Sequence, residues 1–196
     1  SGLNEITIPK TVTSIGTNAF ANCTGLTELF IPDNVTSIDL APGSYIAHGP
    51  FYGCANIEKI SVGGVSELTK GMLETKSTAL KEITIRGSVK SIGKDCFYSP
   101  YLYDLCTTER SVRIVIEPGV ETIGENAFRE CISVTELVLP STITTIGSFA
   151  FSGCNQLVSI TGFDSCKISK ISSGLFYGGS GLNEITIPKT VTSIGT

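Results

Sequence analysis

The sequence predicts a mainly β fold, a right-handed solenoid with a parallel sheet of short strands and little or no helix. Three observations support this prediction. A sequence pattern recurs every 23 to 31 residues, apolar and polar residues alternate within each copy, and Pro, Gly, Phe and Cys recur at fixed places in it. A short repeating unit cannot bury its apolar face alone, so successive units are expected to stack on one another.

The repeating unit is read most easily from the start of the chain, where it has the form L-x-x-I-x-I-P-x-x-V-x-x-I-G-x-x-A-F-x-x-C. Its copies begin at residues 3, 26, 57, 80, 111, 134, 157 and 182, which gives steps of 23, 31, 23, 31, 23, 23 and 25 residues. The opening seventeen residues, 1–17, return unchanged at 180–196. We therefore expect a single solenoid over residues 1–196, of about seven and a half units, in which 180–196 starts the next 179-residue block.

Each unit is expected to contribute a short strand, and the first is the segment E-I-T-I. Because side chains of a strand alternate between its two faces, Ile6 and Ile8 point inward while Glu5 and Thr7 face solvent. Pro9 lacks a backbone donor and ends the strand. The segment V-T-S-I that follows repeats the alternation and predicts a second extended segment in each unit.

The remainder of the unit predicts a turn and an aromatic interior. Gly16 permits the turn, and Ala19 and Phe20 then point into the core. Equivalent phenylalanines of successive units are expected to stack as one column, made of Phe20, Phe51, Phe97, Phe128, Phe151 and Phe176.

Charged residues at one outward position test the alignment of the units. In order along the chain, this exposed ladder is Glu28, Lys59, Glu82, Arg113 and Glu136. Opposite charges on adjacent strands attract each other, whereas Glu5 beside Glu28 would place two like charges together. The alternation supports the alignment more than it supports a binding role.

The full string resembles the BspA-like class of leucine-rich repeat, which is found in surface proteins of bacteria and of some protist parasites. The resemblance covers nearly the whole chain and departs from the pattern at 63–79, 98–111 and 161–174. It implies a leucine-rich-repeat solenoid with a ligand-binding or adhesive role at the cell surface. It carries over no catalytic residue.

The seven cysteines allow two interpretations. Four of them follow the unit's Phe by three residues, a position that favours buried free thiols filling a narrow slot over disulfides between stacked units. Cys96, Cys106 and Cys166 lie outside that register, and a bridge between Cys96 and Cys106 stays open. An odd number leaves at least one thiol free or bound to another chain, and the lack of a C-x-x-C motif gives zinc little support.

Two enlarged segments, residues 39–50 and 98–111, are the best candidates for specific binding because they project from the second and fourth units. The residues singled out as ligand-binding candidates are Tyr45, His48, Tyr52, Tyr98, Tyr101 and Tyr103. Tyrosine is favoured at interfaces because it gives a large contact area at a small entropic cost. The alternative is that these rings cover core that a distorted coil exposes.

Composition argues against several other functions. The net charge is −4 and the 14 Lys and Arg residues are scattered, so no basic cluster is available for nucleic acid. No apolar run approaches the roughly 18 residues of a membrane span. His48 is the only histidine and lies in a Gly- and Pro-rich segment that predicts an exposed loop, and Gly63-Gly64 lacks the G-K-S/T continuation of a phosphate loop. We expect neither a cofactor, a metal site nor enzyme activity.

We therefore predict a non-catalytic cell-surface or extracellular protein-interaction or adhesion module, with a protein or glycan as its ligand. The alternative is a structural segment of a filament or tandem array, in which 179-residue blocks stack end to end and copies self-associate. Two sequons, at Asn22 and Asn34, would accept glycans in a eukaryotic secretory pathway and carry little weight in so Thr-rich a chain.

Overall fold

A computed structural model describes residues 2–41, 48–98 and 110–195. The described chain winds into coils that begin where the sequence units begin. In chain order the elements are β1 (Ser14–Ile15), β2 (Glu28–Ile31), β3 (Ser37–Ile38), β4 (Lys59–Val62), β5 (Glu67–Leu68), β6 (Glu82–Ile85), β7 (Ser91–Ile92), β8 (Val112–Ile116), β9 (Thr122–Ile123), β10 (Val134–Val138), β11 (Thr145–Ile146), β12 (Ser159–Thr161), the 3-10 turn η1 (Phe163–Ser165), β13 (Lys170–Ile171) and β14 (Ser193–Ile194).

One strand from each of six successive coils builds the main sheet. Its order is β12-β10-β8-β6-β4-β2, and every neighbouring pair is parallel. In β2 and β4 the second and fourth residues are buried, because alternate side chains point into the solenoid. With only the three-residue η1 as helix among the described residues, the predicted mainly β leucine-rich-repeat solenoid is confirmed.

The second extended segment of each unit also forms parallel ladders. Strands β5, β7, β9 and β11 make a four-stranded sheet, and β1–β3 and β13–β14 pair separately. Each of these strands has two residues, and in all except β14 the second residue is buried. The second residue is the aliphatic one, Ile or Leu. Both extended segments of the unit therefore face the same core.

Stacked phenylalanine rings run through the core as predicted. Ring centroids are 5.7 Å apart for Phe20 and Phe51, and the planes are nearly parallel. Phe128 stacks on Phe97 at 5.0 Å and on Phe151 at 5.7 Å, and Phe151 stacks on Phe176 at 5.7 Å. Between Phe51 and Phe97 lies one coil whose sequence offers no phenylalanine, residues 57–79, which we call the third coil.

The prediction of a strand at E-I-T-I is wrong for the two identical copies of that segment. In the described structure the main sheet ends at β2 and β12, and residues 5–8 and 184–187 lie outside it. Pairing of residues 5–8 with β2 would set Glu5 beside Glu28, two like charges that disfavour a ladder. Ile6, Ile8 and Ile185 still pack against the core, whereas Ile187 is 39% exposed.

The cysteines that follow the Phe column are free and pack as small groups. The thiol of Cys54 donates to the carbonyl oxygen of Phe20 at 3.1 Å, and the thiol of Cys154 donates to that of Phe128 at 3.0 Å. Each bond crosses to the preceding coil, so these thiols help to hold adjacent coils together. Burial raises the pKa of Cys54, and it raises that of Cys166 to about 11, which keeps these thiols protonated. Cys106 lies outside the described residues.

Two of the three segments that depart from the sequence pattern keep the coil. Residues 63–79 contain β5, which pairs with β7, and Leu68 fills the place of the usual Ile. Residues 161–174 contain η1, and the buried ring of Phe163 meets Phe176 edge-on at 5.7 Å. Of 98–111, residues 99–109 lie outside the described part.

Candidate interaction surfaces

The charged ladder lies on the outward face of the main sheet in the predicted register. Glu28 pairs with Lys59, Lys59 with Glu82, Glu82 with Arg113 and Arg113 with Glu136 as neighbours across strands. Lys59 Nζ is 3.8 Å from Glu28 Oε1, and Arg113 contacts Glu82 at 3.3 Å and Glu136 at 3.1 Å. Hydrogen bonds to Glu136 and Glu82 raise the pKa of Arg113. Most charged side chains of the ladder are thus paired with one another.

A second outward row, without charges, runs beside the ladder. It consists of Phe30, Ser61, Thr84, Val115 and Val138, which are aligned across β2 to β10. Phe30 is 51% exposed, the largest aromatic surface on this face of the described sheet. Sequence alone does not single out Phe30, because the unit pattern leaves this position unspecified.

Arg86 holds the ring of Phe30 in place by a bridge between coils. Its guanidinium donates to the carbonyl oxygen of Ile31 at 2.8 Å and lies 2.9 Å from Asp33 Oδ1. The guanidinium carbon is 4.6 Å from the centroid of the Phe30 ring. Arg86 follows β6 and Asp33 follows β2, so the bridge passes over the intervening coil.

The Gly63-Gly64 pair makes this bridge possible. A Cβ at Gly63 would lie 2.2 Å from Asp33 Oδ1 and 2.4 Å from Arg86 Nη2, closer than side-chain atoms approach one another. Gly64 has φ +84°, a left-handed conformation in which its amide donates to Ser88 Oγ. The glycines serve packing between coils.

His48 is not the exposed loop histidine that the sequence predicts. Its side chain is 30% exposed, and Nδ1 lies 2.9 Å from Oε2 of Glu74, whose side chain is 1% exposed. The imidazole also packs on Tyr52, with 3.8 Å between ring centroids and 36° between the ring planes, and Lys76 Nζ is 4.5 Å from the Tyr52 centroid. Local sequence does not reveal this burial, because the partner of His48 is Glu74, a buried residue 26 positions away.

The described tyrosines belong to a different part of the coil from the ladder. Tyr52 and Tyr98 each follow a phenylalanine of the stacked column directly, and both are half-buried. The guanidinium of Arg129 lies 5.1 Å from the Tyr98 centroid. Tyr177 occupies the same register, is 74% exposed and was missed, although alignment on Phe176 identifies it. Tyr45, Tyr101 and Tyr103 lie outside the described residues.

Other chemistry has little support in the described parts of the chain. Within residues 2–41, 48–98 and 110–195, no three His, Cys, Asp or Glu side chains converge in a way that could hold a metal ion. The same ranges contain no helix with the length and hydrophobicity of a membrane span.

A family model describing the BspA-type leucine-rich repeat region, in six copies, matches residues 1–109 and 99–196. The chain belongs to the BspA-type leucine-rich repeat family. The resemblance drawn from the unit pattern is thereby confirmed. No curated protein shows significant sequence similarity to the chain.

Solved structures support the same fold. A leucine-rich repeat protein of T. pallidum is 26% identical over 88% of this chain and 72% of its own, with a TM-score of 0.60. One from Bacteroides ovatus is 25% identical over 93% of this chain, with a TM-score of 0.52. The chain spans 37% of the length of the Bacteroides ovatus protein.

Proposed function

We propose that this BspA-type chain is a non-catalytic protein-interaction module at a cell surface or outside the cell, and that it binds its ligand on the outward face of the main sheet. One observation carries the proposal: Phe30 is 51% exposed on that face and is held by Arg86. Exposed aromatic side chains fixed in one orientation are typical centres of binding energy.

The other features of the face fit a supporting role. Ion pairs between exposed residues, such as those of the ladder, contribute little net energy and set register and orientation instead. The uncharged row from Phe30 to Val138 gives a partner a strip that it can cover without leaving a charge unpaired. The BspA-type family adds the expectation of a surface location and of a protein or glycan ligand.

The tyrosine-bearing enlargements form a second proposed patch. Tyr52 and His48 are fixed by their mutual contact, and Tyr98 is covered on one side by Arg129. These contacts fit both the binding interpretation and the interpretation that the rings cover core. Tyr45, Tyr101 and Tyr103 stay part of the binding proposal through their sequence alone.

Paired variants separate the two patches. The purified chain is tested for binding to arrays of extracellular proteins and of glycans, and each ligand is then titrated against Phe30→Ser and Tyr177→Ser. We expect Phe30→Ser to weaken binding by about tenfold or more. Tyr177→Ser, which removes an even more exposed aromatic outside the sheet, should leave binding unchanged. Unchanged binding by Phe30→Ser would contradict the sheet proposal, and a loss with Tyr52→Ala instead would favour the tyrosine patch.

A second candidate function, a segment of a filament or tandem array, is favoured by one comparison within the chain. Ile15 is 4% exposed and lies in β1 beside Ile38 of β3, whereas Ile194, the same position of the identical copy, is 70% exposed. Pro9 is exposed and its counterpart Pro188 is buried. The two copies thus present complementary faces of one unit, as an array of stacked blocks requires.

Electron microscopy of the concentrated protein tests the array. Rods that lengthen with concentration, and that Ile194→Asp abolishes, would support end-to-end association. Dispersed particles, each the size of a single chain at all concentrations, would count against end-to-end association.

A further inference from the structure

Backbone geometry places Glu74 directly after the column position of the third coil. Five residues separate Ile146 from Phe151, and the same count from Leu68 reaches Leu73, which is buried. The amide of Glu74 donates to the carbonyl oxygen of Gly71, as that of Tyr52 donates to the carbonyl oxygen of Gly49. Leu73 therefore replaces phenylalanine in the third coil, and Glu74 lies in the register of Tyr52.

A carboxyl group in this position is costly to the fold. The side chain of Glu74 is 1% exposed, whereas Tyr52 in the same register is half-buried. Oε2 bonds to His48, but Oε1 is buried and has no hydrogen-bond partner among the described residues. An ionised carboxylate that is not fully hydrogen-bonded is strongly disfavoured in such a site, while a neutral one is much less so.

The surrounding charges offset this cost only in part. His48 faces Glu74 from the second coil, and Lys76 faces it from the same turn. Tyr52 lies against both of those side chains, and Arg110 of the fourth coil donates to the carbonyl oxygen of Ser77. Burial nevertheless raises the pKa of Glu74, although the hydrogen bond and charge of His48 act in the opposite direction.

We propose that Glu74 makes the third coil a proton-responsive element of the solenoid, one that is tight when Glu74 holds a proton and weakened when it is ionised. Because the shift is upward, the stabilising effect is complete below the ordinary pKa of a glutamic acid and is lost as pH rises through the raised value. The third coil is thus expected to weaken with rising pH.

His48 connects this site with the surface, because its imidazole contacts Glu74 on one side and packs on Tyr52 on the other. The role inferred for Glu74 does not depend on whether Tyr52 binds a ligand.

The test compares stability against pH in matched variants. Glu74→Gln keeps the shape of the side chain and cannot ionise, while Glu121→Gln removes an exposed carboxylate as a control. Between about pH 5 and about pH 8 we expect the thermal midpoint of wild type to fall relative to Glu74→Gln by a few degrees, and that of wild type and Glu121→Gln to change in parallel. Parallel profiles for wild type and Glu74→Gln would overturn the proposal.

A second measurement needs no variant and covers the case in which Glu74→Gln does not fold. Amide hydrogen exchange of wild type is followed at the same two pH values and corrected for the intrinsic rate. We expect protection of residues 72–80 to fall about threefold or more as pH rises, while that of 143–151, which has phenylalanine in the column, is unchanged. Equal changes in both segments would contradict the inference.

Discussion

At the scale of single residues, small groups decide how closely the coils approach. Gly63 leaves room for the bridge from Arg86 to Asp33, and the cysteine thiols reach a carbonyl oxygen of the preceding coil. These positions look interchangeable in the sequence, because a glycine or a cysteine occurs in most units. Their contacts show that each is matched to one neighbour.

Replacement of Gly63 by alanine tests that match. The added methyl group would displace Asp33, Arg86 or both, so we expect Gly63→Ala to lower the free energy of unfolding by about 1–3 kcal/mol. Gly16→Ala is the control, because a Cβ there meets no atom within 4 Å. Chemical denaturation measures both. Equal stability of the two variants would show that the bridge does not depend on Gly63.

Sequence reasoning could identify the position of most inward residues and could not identify the partners of polar ones. The ladder from Glu28 to Glu136 was placed in register because charge and hydrophobicity repeat with the unit. The pairing of His48 with Glu74 cannot be predicted from the sequence, because the third unit has no phenylalanine to align on. The exposure of Phe30 cannot be predicted either, because the unit pattern leaves its position unspecified.

At the scale of the elements, each strand of two to five residues is too short to be stable by itself. The strands persist because the aromatic column and the aliphatic rows pack beneath them. The same dependence explains why residues 5–8 have the right alternation but no ladder: apolar contact is present, and a paired strand is missing. Alternation predicts which side faces the core, whereas strand formation depends on the neighbour.

The stability lost on removing a phenylalanine of the column should depend on its burial and on how many rings it contacts. Phe128 is 2% exposed and stacks on rings to both sides, so we expect Phe128→Ala to cost about 3–5 kcal/mol. Phe20 is half-buried and stacks on one ring, and Phe20→Ala should cost clearly less. Denaturant titrations give both values, and the reverse order would contradict the column as the source of cohesion.

At the scale of the whole molecule, contacts join adjacent coils and few extend further. The Arg86 bridge, which passes over one coil, is an exception. A solenoid of this kind is expected to have a stability that is close to a sum over coils and their nearest-neighbour interfaces.

Double-mutant cycles test that description. Phe51 and Phe128 belong to the second and fifth coils, so the effects of Phe51→Ala and Phe128→Ala should add within about 0.5 kcal/mol. Phe128 and Phe151 stack at 5.7 Å, and their alanine variants should show a coupling of about 0.5 kcal/mol or more. Strong coupling of the distant pair would argue for a core that acts as one unit.

The sheet face is the centre of the functional account, and photo-crosslinking tests it most directly. The photoreactive residue benzoylphenylalanine is placed at position 30 in one protein and at position 177 in another, and each is irradiated with a ligand that binds the wild-type chain. The account predicts covalent capture of the ligand from position 30 and none from position 177. Capture from position 177 alone would contradict it.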